Sequence, residues 1–165
     1  QAKTAIAAAK FPPTGNRSVG GGSGAMNFSA EVGDYRLQAN DEILVILQTE
    51  SPAGIANAEE IYSLPGCDAI FIGPNDLQFQ MRQEDGTFPT PAAHEAAIQE
   101  VIQIGKKTNC PTGIHCMDPE SALQRAEQGM QFIAVESDLK FLTSQATAAL
   151  KIVYPDHDAG DVVRY

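Results

Sequence analysis

Short apolar runs alternate along this chain with longer stretches whose apolar residues return every three or four positions. The run 43–47 is continuous rather than alternating, the pattern of a parallel strand buried on both faces. Ser51-Pro52 reads as an N-cap followed by Pro at the first helical position. Ile55, Ala58, Ile61, Tyr62 and Leu64 then recur at helical spacing until Pro65-Gly66 stops the helix. The unit repeats with a strand at 69–72 closed by Gly73-Pro74, a polar loop over 81–89, and a helix opened by Thr90-Pro91 with Ile98, Val101 and Ile102 on its inner side. A short strand at 112–114 leads to a helix capped by Asp118-Pro119, which carries Ala122, Leu123 and Ala126 and ends at Gly129. A fourth strand is expected at 132–135, then a helix capped by Asp138 and carrying Leu139, Leu142, Ala146, Leu150 and Val153. Upstream, 2–10 reads as a helix ended by Phe11-Pro12-Pro13, 14–25 as a Gly- and Ser-rich loop, and 27–39 as a short helix. From Tyr154-Pro155 an acidic tail follows.

Regular alternation of strand and helix implies an α/β fold with a parallel sheet and helices outside it. Right-handed crossovers make the C-terminal ends of the strands face one way. A complete eight-stranded barrel takes roughly 250 residues. This chain has 165 and begins with Gln1 inside an Ala-rich helical stretch. The expectation is one partial domain: the C-terminal half of a (β/α)8 TIM barrel, strands 5–8 with their helices. A doubly wound open sheet is the structural rival, but no G-x-G-x-x-G follows a strand, which lowers a dinucleotide-binding reading.

Composition narrows the chemistry. A formal charge of −10 argues against a nucleic-acid footprint, which needs clustered Lys and Arg. No apolar run is long enough to span a bilayer and no secretory signal is visible, so no membrane partner is expected. Cys67, Cys110 and Cys116 show no metal-ligand repeat and read as reduced thiols of a cytoplasmic protein, Cys67 and Cys110 as small apolar fillers.

On the first strand one face carries Leu44, Ile46, Gln48 and Glu50, the other Val45, Leu47 and Thr49. Polar residues thus enter the inward face only at the C-terminal end, where α/β barrels hold their catalytic groups. The next strand ends in Gly73-Pro74-Asn75-Asp76 at the same rim. Two carboxylates converging there repel unless a cation or a proton lies between them. Oxygen ligands suit Mg²⁺ or Mn²⁺. Taken singly, Asp76 reads equally well as a helix cap and Glu50 as the partner of a Lys. The run Gly20-Gly21-Gly22 lacks a following Lys-Ser or Lys-Thr and reads as a flexible rim loop.

Gln48-Thr49-Glu50-Ser51, Asn57-Ala58-Glu59-Glu60-Ile61 and Pro65 through Leu77, with its F-I-G-P-x-D-L pattern, resemble the signature of the HpcH/HpaI aldolases. Phe11 through Gly20 resembles the family's Y-P-P-x-G-x-R-G-V-G segment, so the resemblance runs over most of the chain. It implies a class II aldolase that cleaves 2-keto-3-deoxy or 4-hydroxy-2-keto acids reversibly to pyruvate and an aldehyde. It further implies Glu50 and Asp76 as ligands of Mg²⁺, Mn²⁺ or Co²⁺, and Gln48 as the neighbour of bound pyruvate or a metal water. The backbone at Asn75 and Asp76 would meet the keto-acid carboxylate. A homo-oligomer, a hexamer or trimer of dimers with exchanged C-terminal helices, is implied as well, residues 139–153 being the candidate helix.

The family's His after its second strand and Arg on its third would precede Gln1. His94 and His157 read as solvated, and His115 as structural sooner than pocket-facing. Arg17 is a candidate for the catalytic set as a binder of anionic substrate, with bracing of its loop as the alternative. Gln78, Gln80 and Arg82 stand where the family has small residues and a Gly, which leaves the aldehyde open. Rival readings are a citrate-lyase-β-like lyase, macrophomate-synthase-like decarboxylation of oxaloacetate with C–C bond formation, and a non-catalytic structural module.

Overall fold

A computed structural model of the chain describes residues 1–155. The element order is α1 (Ala2–Ala9), α2 (Ser23–Met26), α3 (Val32–Glu42), β1 (Ile46–Gln48), α4 (Pro52–Ala56), α5 (Ala58–Tyr62), β2 (Ala69–Ile72), α6 (Pro74–Gln80), α7 (Pro91–Thr108), β3 (Thr112–Cys116), α8 (Pro119–Glu127), β4 (Phe132–Val135) and α9 (Asp138–Val153). The strands form one parallel sheet in the order β1-β2-β3-β4, as the alternation predicts.

Local chemistry explains most boundaries. The side chains of Ser51, Thr90 and Asp118 accept from the backbone N–H three residues on, and Pro follows each at the first helical position. Asn109, at φ 55°, ends α7 in the left-handed region. Five expectations need correction. Ser137, not Asp138, caps α9 through Lys140 N; Asp138 is its first residue, an acid well placed for the helix dipole. The expected helix 51–64 is two short helices, broken at Asn57. β1 starts later than the apolar run, because Ile43 still bonds back to Ala39 and the Val45 amide is taken by Asp68 Oδ2 at 2.7 Å. The Gly-rich segment contains the one-turn α2, and the helix expected at 27–39 lies at Val32–Glu42.

Burial is one-sided. Leu47, Ile70, Ile72, Ile114, Cys116 and Ile133 pack on the helix side with Tyr62, Leu77, Ile98, Val101 and Ile102. Full burial of side chains like these contributes about 1.5–3 kcal/mol each. Leu123 on α8 is exposed. The opposite face carries Ile46, Phe71 and Phe132; the two Phe rings meet edge-to-face at 5.5 Å, yet Phe132 is 49% exposed. The apolar residues of α9, including Leu139, Leu142 and Leu150, are also exposed. Cys67, Cys110 and Cys116 are free, and burial pushes the Cys67 thiol up to about 12. No helix among the described residues is long and apolar enough to cross a membrane.

Arg125 on α8 grips Glu95 on α7 with two hydrogen bonds of 2.6 Å, and this hydrogen bonding holds the Glu95 carboxyl below its ordinary range. Its contribution is therefore present above the unfolded-state pKa of about 4.3 and is lost as pH falls through the lower folded value. Since 39% of the Glu95 side chain is exposed, we expect Glu95→Gln to cost only about 1 kcal/mol at pH 7. That difference should shrink below about pH 4 in denaturant titrations. The isolated 165-residue chain, with unpaired edges at β1 and β4 and an open apolar face, is expected to self-associate; a clean monomer in sedimentation velocity would contradict this.

Candidate active site

β1 and β2 deliver their C-terminal residues to the same place. Thr49 continues the ladder after β1, its amide donating to Phe71 O at 2.9 Å. Its side chain turns to the helix side and accepts a hydrogen bond of 3.1 Å from the Tyr62 hydroxyl. Burial raises that phenol to about 12, so it stays a neutral donor. With Thr49 pinned outward, Gln48 and Glu50 on either side of it project from the other face.

After β2 the chain passes directly into α6, with Gly73 rather than Asp76 at the cap. Gly73 is the N-cap, Pro74 follows, and Asp76 lies in the first turn. Fully buried Leu77 anchors this helix and donates its amide to Gly73 O. His94, expected to be solvated, is half-buried, and its Nε2 lies 3.0 Å from Pro74 O. It ties the start of α7 to the turn that presents Asp76.

The side chains meet over Gly73. A Cβ at that position would stand 2.6 Å from Glu50 Oε2, 2.8 Å from Gln48 Nε2 and 3.6 Å from Asp76 Oδ2. Gly73 has an ordinary φ of −88°, so space and not conformation demands the glycine. Sequence reading missed this residue as a member of the site; the signal was the glycine between an apolar strand and Pro74.

These distances put the two carboxylate oxygens within roughly 6 Å of each other, near enough for small side-chain movements to let them share one ion at 2.0–2.1 Å from each. Glu50 Oε2 is buried and has no hydrogen-bond partner. A buried carboxylate oxygen without a donor is costly and fits a site that receives a cation. Among the described residues no group of three or more His, Cys, Asp and Glu could hold a metal. The protein donors on offer are therefore two carboxylates and the Gln48 amide, a set that suits a hard dication whose remaining ligands are water and substrate. Gln48 and Glu50 also line an open cleft of about 730 Å³ beside the free edge of β1, whose far wall includes the first residues of α1. Asn75 and Asp76 are exposed, in the first turn of α6, where backbone amides lack intrahelical acceptors.

Arg17 is not brought to this cluster. Its guanidinium lies 4.5 Å from the Phe11 ring centroid and 5.7 Å from that of Tyr35, and its Nη2 donates to Tyr35 Oη at 2.9 Å. The adjoining Lys10 and Phe11 are bonded to Asn40 and Ile43, which precede β1, so this loop belongs to the opposite end of the sheet. The catalytic expectation for Arg17 is corrected accordingly, and bracing of the loop is what its contacts do. His157 lies outside the described residues.

The family model described as HpcH/HpaI aldolase/citrate lyase matches residues 1–145. A "Hydroxypyruvate/pyruvate aldolase" of Sagittula stellata is 37% identical over 151 residues, covering 90% of this chain and 57% of that protein. A "2-dehydro-3,6-dideoxy-6-sulfogluconate aldolase" of Pseudomonas putida is 38% identical over 152 residues, covering 91% and 58%. The crystal structure of an HpcH/HpaI aldolase/citrate lyase family protein from Burkholderia cenocepacia superposes with a TM-score of 0.80 at 33% identity, over 92% of this chain and 60% of that one. The chain thus spans less than two thirds of the length of the relatives it matches. From the motif, the four-stranded parallel sheet and these matches together, the chain belongs to the HpcH/HpaI aldolase/citrate lyase family.

Proposed function

We propose that this chain is the metal-holding half of a (β/α)8-barrel aldolase, a carbon–carbon lyase that cleaves a 2-keto-3-deoxy or 4-hydroxy-2-keto acid reversibly to pyruvate and an aldehyde. Glu50 and Asp76 are its ligands for Mg²⁺, Mn²⁺ or Co²⁺. The observation that carries this reading is the meeting of both carboxylates and Gln48 over the bare Gly73, with one buried Glu50 oxygen left without a donor.

When bound, the ion supplies a Lewis acid for the oxygens of the keto acid. The chain's own residues do the rest of the positioning. Gln48 offers its amide to the keto-acid oxygens, and the first-turn amides of Asn75 and Asp76 face the carboxylate. Gly73 leaves the room into which the Glu50 and Gln48 side chains reach. The Thr49–Tyr62 hydrogen bond keeps the β1 register, and so keeps Glu50 aimed inward. The proton-transferring His and the Arg that the family resemblance implies are assigned to sequence upstream of Gln1. Homo-oligomer contacts are assigned to α9, whose exposed apolar residues include Leu139, Phe141 and Leu142. The free thiols fit a cytoplasmic setting.

In the full-length protein, Glu50→Gln is expected to weaken Mn²⁺ binding, read by electron paramagnetic resonance, by roughly 100-fold or more, and to abolish metal-dependent exchange of pyruvate methyl protons with solvent deuterium. Wild-type Mn²⁺ affinity in Glu50→Gln would sink the assignment. Gly73→Ala is expected to cost roughly 10–100-fold in Mn²⁺ affinity with thermal stability retained, because its methyl intrudes on Glu50 and Gln48; unchanged affinity would show that the cluster is not the ion site.

A further inference from the structure

Beyond the ion site, the inner face carries a polar side chain that the proposed mechanism does not use. Phe71 pairs with Gly113 and Ile72 with Ile114, so the next residues, Gly73 and His115, stand abreast at the ends of β2 and β3. Ile114 and Cys116, on either side of His115, are 2% and 4% exposed in the helix-side core. The His115 side chain therefore projects from the opposite face, the face of the Phe71–Phe132 pair. One strand spacing, about 4.8 Å, separates its backbone from that of Gly73, over which the acids gather. It is not a ligand of the candidate ion but lies one step away across the sheet.

Its chemistry is fixed on one side. His115 Nε2 lies 3.0 Å from Glu136 O. A carbonyl only accepts, so Nε2 carries the hydrogen, and in a neutral imidazole Nδ1 then keeps its lone pair. Among the described residues nothing is bonded to Nδ1. Glu136, at φ 51°, is held from both sides, its N–H donating to Cys116 O at 2.8 Å. The rest of the inner wall of β3 and β4 is Gly113, Phe132 and Ala134. One oriented acceptor in an otherwise apolar wall is how small-molecule sites fix the pose of a ligand.

We infer that His115 is a specificity-determining residue whose Nδ1 accepts a hydrogen bond from a hydroxyl on the aldehyde fragment, which selects α-hydroxyaldehydes. This rests on the aldolase reading. The keto-acid end is held at β1 and β2, and the remainder of the adduct extends across the sheet toward β3. A site built to bond a hydroxyl discriminates strongly against the analogue that lacks it.

The test uses the full-length enzyme with Mn²⁺, pyruvate, and either glycolaldehyde or propionaldehyde, its near-isostere without the hydroxyl. The readout is the ratio of the two kcat/KM values. The unaltered enzyme is expected to favour glycolaldehyde by roughly 10-fold or more, and His115→Leu to reduce that ratio by roughly 10–100-fold. His115→Gln, which keeps an oxygen acceptor, should recover part of it. A brace for the Glu136 turn would instead lower both substrates together, so an unchanged ratio in His115→Leu overturns the inference. So does an unaltered enzyme that exchanges pyruvate methyl protons but shows no preference for glycolaldehyde. Failure of that exchange in the unaltered enzyme marks failure of the aldolase reading itself, and this inference falls with it.

Discussion

Two carboxyl groups and an amide crowd over a residue with no side chain, and the arrangement of the candidate site follows from that constraint. Glu50 comes from the end of β1, Asp76 from the first turn after β2, and Gly73 beneath them leaves the gap in which they meet. Each element around the gap is fastened away from it. Thr49 is held by Tyr62, Leu77 is sunk into the core, and Pro74 O is held by His94. The acids are thus presented just beyond the ends of two neighbouring strands, on backbone tied to the core at Thr49 and Leu77.

The same sheet has two unlike faces. Helices cover one, where Ile70, Ile72, Val101 and Ile114 are essentially inaccessible. The other keeps Ile46, Phe71 and Phe132 toward the open side, with polar residues only at the C-terminal rim: Gln48, Glu50 and His115. A closed barrel buries such a face as its packed interior and places its active site at that rim. Full-length relatives in the family are longer than this chain, and the open face and the exposed side of α9 are the surfaces with which a longer or assembled protein would make contact.

The fold was legible where local signals agreed. Strands β2 and β4 coincide with their apolar runs, and the Ser51, Thr90 and Asp118 caps with following Pro mark their helices. It was less legible where two groups compete for one backbone amide or one cap position. Asp68 takes the Val45 amide and shortens β1, and Ser137 outcompetes Asp138 by one position for the α9 cap. In the site, strand alternation alone pointed Gln48 and Glu50 inward. Gly73 escaped notice because its need is for empty volume, set by side chains of another strand. His94 was misread, and the two readings of Arg17 stayed open, for a related reason: the Pro74 carbonyl and the Phe11 and Tyr35 rings that hold them are brought close only by folding.

The most direct test of the account is anomalous X-ray diffraction from crystals of the full-length protein grown with Mn²⁺. The account predicts a strong manganese peak coordinated by carboxylate oxygens of both Glu50 and Asp76, above Gly73. A well-ordered structure with Glu50 Oε2 bonded to a protein donor and the manganese elsewhere would contradict it.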